Sequence, residues 1–282
     1  MNSKKNSQTN SGSLPATWIW YSILLVLCLP LLAVFAFGFL DASTGSITGF
    51  SLSGYEEFVK PYRLRELGSV LTRSIICGSI ASLFAFGLSY LLVRFYSLGF
   101  QNLFLLLITL PFLINESVKT FAWTILLAEN GLLNWMLSPF TKEGWFTLAS
   151  NWNVWIIIII NLLPFGIFIS ILTLRNIDKN IWLAAEEFGA KSWALFVRIA
   201  FPLAKYGFFL SIVVTSFFAL SMTSEVTFLG GDTKQSIAIL VADLFSARKV
   251  SAVFSLGTVF VIIISIFYFF IYYGSSKMNK ST

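Results

Sequence analysis

Five polar side chains stand where this sequence is otherwise apolar. Asn115, Glu116 and Lys119 interrupt the run Leu103–Ala128, Asn161 lies three residues before Pro164 in Trp152–Leu174, and Glu225 follows Tyr206–Ser224. Residues three apart meet on one helix face, so Glu116 and Lys119 form either a self-neutralising pair or a charged lining. Ionisable groups within apolar spans usually face a bundle interior or a water-filled path. Pro111 beside Asn115 favours a broken helix of the kind that lines such a path. Asn115, Glu116, Lys119, Asn161 and Glu225 are therefore candidates for a translocation path. The simpler alternatives are that Asn161 satisfies backbone groups freed by Pro164, and that Glu225 is a loop residue at the lipid headgroup level.

Other chemistries are excluded. The chain has no histidine, which removes His-ligated zinc and Ser-His-Asp catalysis. Its two cysteines, Cys28 and Cys77, lie in apolar runs and read as small hydrophobes, not as a disulfide framework or metal cluster. No G-x-x-x-x-G-K-[ST] loop occurs, so the chain carries no ATP-binding phosphate loop of its own. No catalytic residue, metal or cofactor is expected. A membrane enzyme would need a carboxylate or Ser-Lys constellation that the sequence lacks.

The elements that carry these residues follow from composition. Of 282 residues, 57% are hydrophobic, 17% aromatic and only 11% charged, against about 45–50% apolar and 25% charged in soluble domains. Thirty Phe and nine Trp exceed what one water-soluble core buries, and lipid is the alternative solvent. A bilayer core takes about 20 apolar residues per helix. Six runs meet that length: 18–40, 74–93, 103–128, 152–174, 206–224 and 250–273. The expectation is an all-α, polytopic membrane protein of six spans in one domain, 18–273. Residues 1–17 read as a disordered tail, 274–282 as a second tail, and the first span as uncleaved, being longer than a signal-peptide core. Trp135 and Trp145 are candidate interface anchors, and Gly230–Gly231 a candidate turn.

Orientation follows from the basic residues. With the N-terminus inside, inner segments hold ten of the nineteen: Lys4, Lys5, Arg94, Arg175, Lys179, Lys191, Arg198, Lys205, Lys277 and Lys280. Of the thirteen acidic residues, only Asp178, Glu186 and Glu187 fall there. Both termini are thus expected in the cytoplasm, and the net charge of +6 reads as an inner-face excess, not a nucleic-acid footprint.

The inner loop 175–205 holds the most specific pattern. Asp178–Leu203 reads DKNIWLAAEEFGAKSWALFVRIAFPL. Asp178 is a candidate N-cap, Gly189 supplies a left-handed residue to end the first short helix, and Ser192 is a candidate cap for a second, which Pro202 stops. Trp193, Phe196 and Val197 share one face of that second helix. The small Ala184 and Ala185 allow close approach of a partner's groove; the alternative is an amphipathic helix lying on lipid.

Here the residues resemble the permeases of ATP-binding-cassette importers, which carry E-A-A-x-x-x-G, nine residues, then I-x-L-P in this loop. This chain has Ala184, Ala185 and Gly189, nine residues, then Ile199, Ala200, Phe201 and Pro202. Leu183 stands where the family has Glu; Glu187, four residues on and on the same helical face, is a candidate substitute. L-P-F at 110–112 with Asn115, A-x-x-x-x-x-x-x-N-G-x-L-N ending at Asn134, L-P-F-G-I-F-I at 163–169 and Ser224–Glu225 before Gly230–Gly231 resemble the PotB-type permeases of spermidine/putrescine importers. The resemblance implies a type I importer permease fold in the bacterial inner membrane. It implies Leu183, Ala184, Ala185, Glu186, Glu187, Gly189, Ile199 and Pro202 as the ATPase-coupling loop. Its implied partners are ATPase subunits, a second homologous permease and an external substrate-binding protein, with no nucleic acid. Sister permeases for ferric iron, thiamine, sulfate and phosphonate share much of the pattern. A stand-alone secondary transporter, with Glu116 and Lys119 as coupling residues, is the reading from another class.

Overall fold

The computed structural model describes residues 14–40, 49–139, 151–229 and 236–278. The N-terminal tail as far as residue 13, Trp145, Gly230–Gly231 and the last four residues lie outside them. The described chain is helical, with a lone antiparallel bridge between Leu40 and Phe50. In order run α1 (Leu14–Phe37), α2 (Ser53–Val59), α3 (Pro61–Phe95), α4 (Leu98–Leu113), α5 (Glu116–Leu126), α6 (Leu132–Leu137) and α7 (Asn151–Arg175). Then come α8 (Lys179–Glu187), α9 (Ser192–Leu195), a π-helical turn (Phe196–Ala200), α10 (Phe201–Ser221), α11 (Ser224–Leu229), α12 (Ile237–Ser246) and α13 (Val250–Met278).

Helices run through all six expected span regions. Among the described residues, Pro61–Phe95, Trp152–Arg175 and Ser192–Ser221 are each long and apolar enough to cross a membrane, and α4 with α5 makes a fourth if counted as one bent span. α1 and α13 are 24 and 29 residues long, and their described apolar stretches are Cys28–Phe37 and Val250–Ile263.

The break expected beside Pro111 and Asn115 is present: α4 and α5 meet at 95° across Ile114–Asn115. Pro111 removes one backbone donor, and the Asn115 side chain caps the new start by accepting from the Ser117 N–H at 2.9 Å. The helix that carries the second run begins earlier than residue 74: Pro61 opens a helix of 35 residues. That helix is about 52 Å long against a bilayer core of about 30 Å, so Arg63, Arg65, Glu66 and Arg94 fall at its ends. Finally, Pro202 does not stop the second loop helix. Phe196–Ala200 widens to i→i+5 bonding, with the Phe201 N–H on the Phe196 carbonyl, and this local reshaping lets the chain run helical through Pro202 into α10. Ser192 is the first residue of α9, not its cap, and makes no side-chain capping bond there.

The chain divides into two compact units, Leu64–Ala242 and the terminal segments Met1–Arg63 with Asp243–Thr282. In the first unit α3, α7 and α10 pack through small residues. A Cβ on Gly78 would lie 2.6 Å from the Ser216 backbone nitrogen, and one on Gly207 would collide with Thr173. Ser82 sits between Thr215 and Ser211 (hydroxyl separations 3.0 and 2.9 Å), and Thr215 Oγ1 is 3.0 Å from the Gly78 carbonyl. Lipid gives helices no hydrophobic reason to associate, so close backbone approach and interhelical hydrogen bonds carry the packing. Around this seam Ile157, Ile158 and Leu162 of α7 are buried with Cys77, Ala81, Ala219 and Val226, consistent with Cys77 as a small hydrophobe.

In the second unit α13 packs on α1 and α2. Ser255 Oγ donates to the Gly38 carbonyl at 3.0 Å, where a side chain on residue 38 would strike Thr258. Glu57 of α2 accepts from Lys249 Nζ at 2.8 Å, Lys60 Nζ at 2.6 Å and the Tyr62 hydroxyl at 3.0 Å. The two ammonium groups hold its pKa down to about 2.

Candidate functional site

The proposed coupling loop is seated by aromatic side chains. Asp178 caps α8 as expected, its carboxylate accepting from the Asn180 N–H at 2.9 Å. The end of α8 is a Schellman closure: the Gly189 N–H bonds the Glu186 carbonyl at 2.8 Å and the Ala190 N–H the Ala185 carbonyl at 3.0 Å. Gly189 takes φ +77°, the left-handed geometry that glycine adopts without penalty.

Trp182 is the anchor. It is buried, its ring 6.0 Å from Tyr90 of α3, with the Arg94 guanidinium 5.9 Å above it. Arg94 also pairs with Glu186, and the Tyr90 hydroxyl donates to the Ser192 carbonyl at 3.0 Å. Phe196 closes the seat against Tyr90 and Phe86, centroids 4.9 and 5.8 Å away. Thus the last turns of α3 hold both short helices. Trp182, Tyr90 and Arg94 escaped the sequence reading as a set. Arg94 was visible only as the charge that ends a span, and no local pattern connects it to a loop ninety residues on.

The two motif alanines part company. Ala185 packs inward with Ala190, Ile199 and Leu195, whereas Ala184 is exposed. Beside Ala184 the surface carries Leu183 (56% exposed) and Phe188 (92%), and Trp193 of α9 is 75% exposed. Glu187 is exposed with Leu183, as their four-residue spacing requires, and Pro202 is exposed at the start of α10. An apolar surface of this kind, mounted on a rigid seat, is a feature soluble monomers avoid.

Three of the five candidate path residues, Glu116, Asn161 and Glu225, meet at a second place. Glu225 lies on α11, a separate short helix beyond the end of α10, and is completely buried. It is not a headgroup-level loop residue. Its Oε1 accepts from Asn161 Nδ2 at 2.8 Å, so the Asn161 amide serves a carboxylate 64 positions away and not the backbone near Pro164. Among the described residues no N–H or hydroxyl donates to Oε2 of Glu225, and the Glu116 side chain lies within hydrogen-bonding reach of the Glu225 carboxyl. The Glu116 carboxyl is an electrostatic neighbour of Glu225, because α5 packs against α11, with Phe121 and Phe228 at 4.7 Å and the Ser117 and Ser224 hydroxyls at 3.5 Å. Glu116 and Lys119 do not pair with each other; Lys119 is half-buried, with no ion pair among the described residues. Asn115 is exposed and works as the cap of α5. Breaks in two helices, at 114–115 and 222–223, therefore bring two carboxylates and an amide together.

A helical membrane bundle with broken helices and an exposed apolar loop on its end is the architecture of a permease. Residues 74–278 match the family described as the binding-protein-dependent transport system inner membrane component, and the chain belongs to it. The spermidine/putrescine transport system permease protein PotB of Haemophilus influenzae is 22% identical over 266 residues, covering 93% of this chain and 91% of that one. The inner membrane ABC transporter permease protein YdcU of Escherichia coli is 25% identical over 219 residues, 73% and 69% of the two chains. The sulfate transport system permease protein CysW of Synechocystis is 25% identical over 246 residues, 85% and 83%. Among solved structures, a chain of a bacterial alginate ABC transporter in complex with an alginate pentasaccharide-bound periplasmic protein superposes with TM-score 0.71 at 17% identity, over 94% of this chain and 96% of that one. The chain is a multi-pass inner-membrane permease component of an ABC importer, a transport subunit and not an enzyme.

Proposed function

We propose that this permease moves polyamines, spermidine and putrescine, across the inner membrane. The observation that carries the reading is the pair of neighbouring carboxyls, Glu225 and Glu116, the first of them completely buried. An ionised carboxylate taken out of water loses several kcal/mol of hydration unless an opposite charge meets it, and an alkylammonium supplies one. A sulfate or phosphonate would meet repulsion at the same place. The full-length similarity to a spermidine/putrescine permease points the same way.

In this reading the chain crosses the membrane six times with both termini in the cytoplasm. It works beside a second homologous permease and receives substrate from an extracytoplasmic binding protein. The exposed face of α8, from Ala184 through Phe188, fits the groove of an ATPase subunit, and closure of the ATPases on ATP moves α8. Because Trp182, Arg94 and Phe196 tie α8 and α9 to α3, that movement passes to the bundle. Ala184, Glu187 and Phe188 make the contact; Ala185, Gly189 and Ile199 shape the seat, and Leu183 lies at its edge.

The test is uptake of labelled spermidine in cells with and without the gene, competed by putrescine, sulfate, ferric iron and phosphonate. Loss of spermidine uptake in the deletion, with competition by putrescine alone, is the expected result. Intact spermidine uptake in a deletion strain lacking other polyamine importers would overturn the substrate and assign it to the competitor whose own uptake disappears.

A further inference from the structure

A pocket of about 450 Å³ opens between the α3–α4 turn, the end of α7 and the start of α8. Three cations line it: Arg94, Arg175 and Lys179. Their charges are unequally compensated. Arg94 pairs with Glu186. Arg175 is held by two neutral amides, Nε donating to Gln101 Oε1 and an Nη to Asn102 Oδ1, both at 2.9 Å. Those bonds orient the guanidinium without cancelling its charge. Among the described residues no carboxylate pairs with Arg175 or Lys179, and the nearby Asp178 is engaged as the cap of α8.

Leu183 lines the same pocket. With Leu98, another exposed lining residue, it gives the pocket a hydrocarbon wall next to its positive charge. A guanidinium fork matched to phosphate oxygens, a flexible ammonium and an aliphatic wall make a site for an amphiphilic anion. Basic pockets between membrane helices on the cytoplasmic side bind lipid headgroups in this way.

We propose that the Arg94–Arg175–Lys179 pocket holds the phosphate-bearing headgroup of an anionic phospholipid from the leaflet at the α8 end, with Leu183 and Leu98 against its glycerol and acyl portion. Lipid is preferred to free phosphate because of that aliphatic wall and because the chain is a membrane component. The choice of leaflet rests on the proposed topology; the substrate plays no part in it.

The test is native mass spectrometry of the full-length chain purified in neutral detergent and supplied with dioleoyl phosphatidylglycerol or dioleoyl phosphatidylcholine. Expected is preferential retention of phosphatidylglycerol, falling about tenfold or more when Arg175 and Lys179 are both changed to Gln, as each cation near a lipid surface contributes on the order of 1 kcal/mol. Leu183→Glu, at an exposed position that tolerates a polar residue, is expected to lower retention as much. Lys205→Gln, outside the pocket, leaves it unchanged. Equal retention of the two lipids, or variants that hold phosphatidylglycerol as well as the parent does, would overturn the site. Displacement of phosphatidylglycerol by millimolar inorganic phosphate would overturn the lipid assignment in favour of a free-phosphate site. Retention is read without transport, so a negative result leaves the polyamine reading standing.

Discussion

The surface around α8 and the buried cluster around Glu225 are both made by ending helices, yet the endings serve opposite purposes. At α8 a capping aspartate, a Schellman glycine and an anchoring Trp182 satisfy the backbone and leave apolar side chains outside: Phe188 is 92% exposed. At α11 the breaks turn polar groups inward, and Glu225 is completely buried. The first arrangement favours association with another macromolecule, since removing exposed apolar area from water is favourable in itself. The second favours transient occupation by a cation, since two neighbouring carboxyls held away from water gain from an opposite charge. Under the proposed function both are needed, one strong enough to hold a motor and the other weak enough to let cargo go.

The sharpest way to break this comparison uses the two alanines. Ala184→Trp places an indole on the exposed face, and uptake is expected to be lost while membrane levels of the protein are unchanged, with ATPase subunits no longer co-purifying. Ala185→Trp instead overfills the seat against Leu195 and Ile199 and is expected to lower the amount of folded protein, since overpacking costs about 1–3 kcal/mol. Normal uptake by Ala184→Trp would remove α8 as the docking face.

A smaller effect is expected at the buried cluster. Glu225→Gln keeps an oxygen for Asn161 but removes the charge, so spermidine uptake should fall about tenfold, a change of about 1.4 kcal/mol, while co-purification of partners is unaltered. Unchanged uptake kinetics would take Glu225 out of the path. The smallest effect is expected at Gly189→Ala, where a Cβ must adopt φ +77°. No neighbouring atom lies within 4 Å of that Cβ, so the penalty is backbone strain alone, about 1 kcal/mol. It should appear as a slight lowering of the melting temperature with uptake largely kept.

Much of the α8 region was legible beforehand because its determinants are local. Asp178 as a cap, Gly189 in the left-handed region and the break beside Pro111 and Asn115 each depend on residues within one turn. Where the local signals misled, a neighbour intervened. Pro202 was overridden by a π turn that needs the helix on both sides, and Glu225 read as a loop residue because nothing in the sequence shows that α11 folds back against α5 and α7.

Hydropathy and composition alone determined that this is an all-helical membrane protein, because the transfer of long apolar runs into lipid needs no knowledge of what packs against them. The motif spacing from Ala184 to Pro202 likewise pointed to the family that residues 74–278 match. Only the tertiary structure decided which alanine faces outward, that Asn161 meets Glu225, and that Gln101 and Asn102 hold Arg175 with its charge uncancelled. These contacts join residues 64 to 74 positions apart, and their geometry comes from how closely the glycine- and serine-lined faces of the helices can approach.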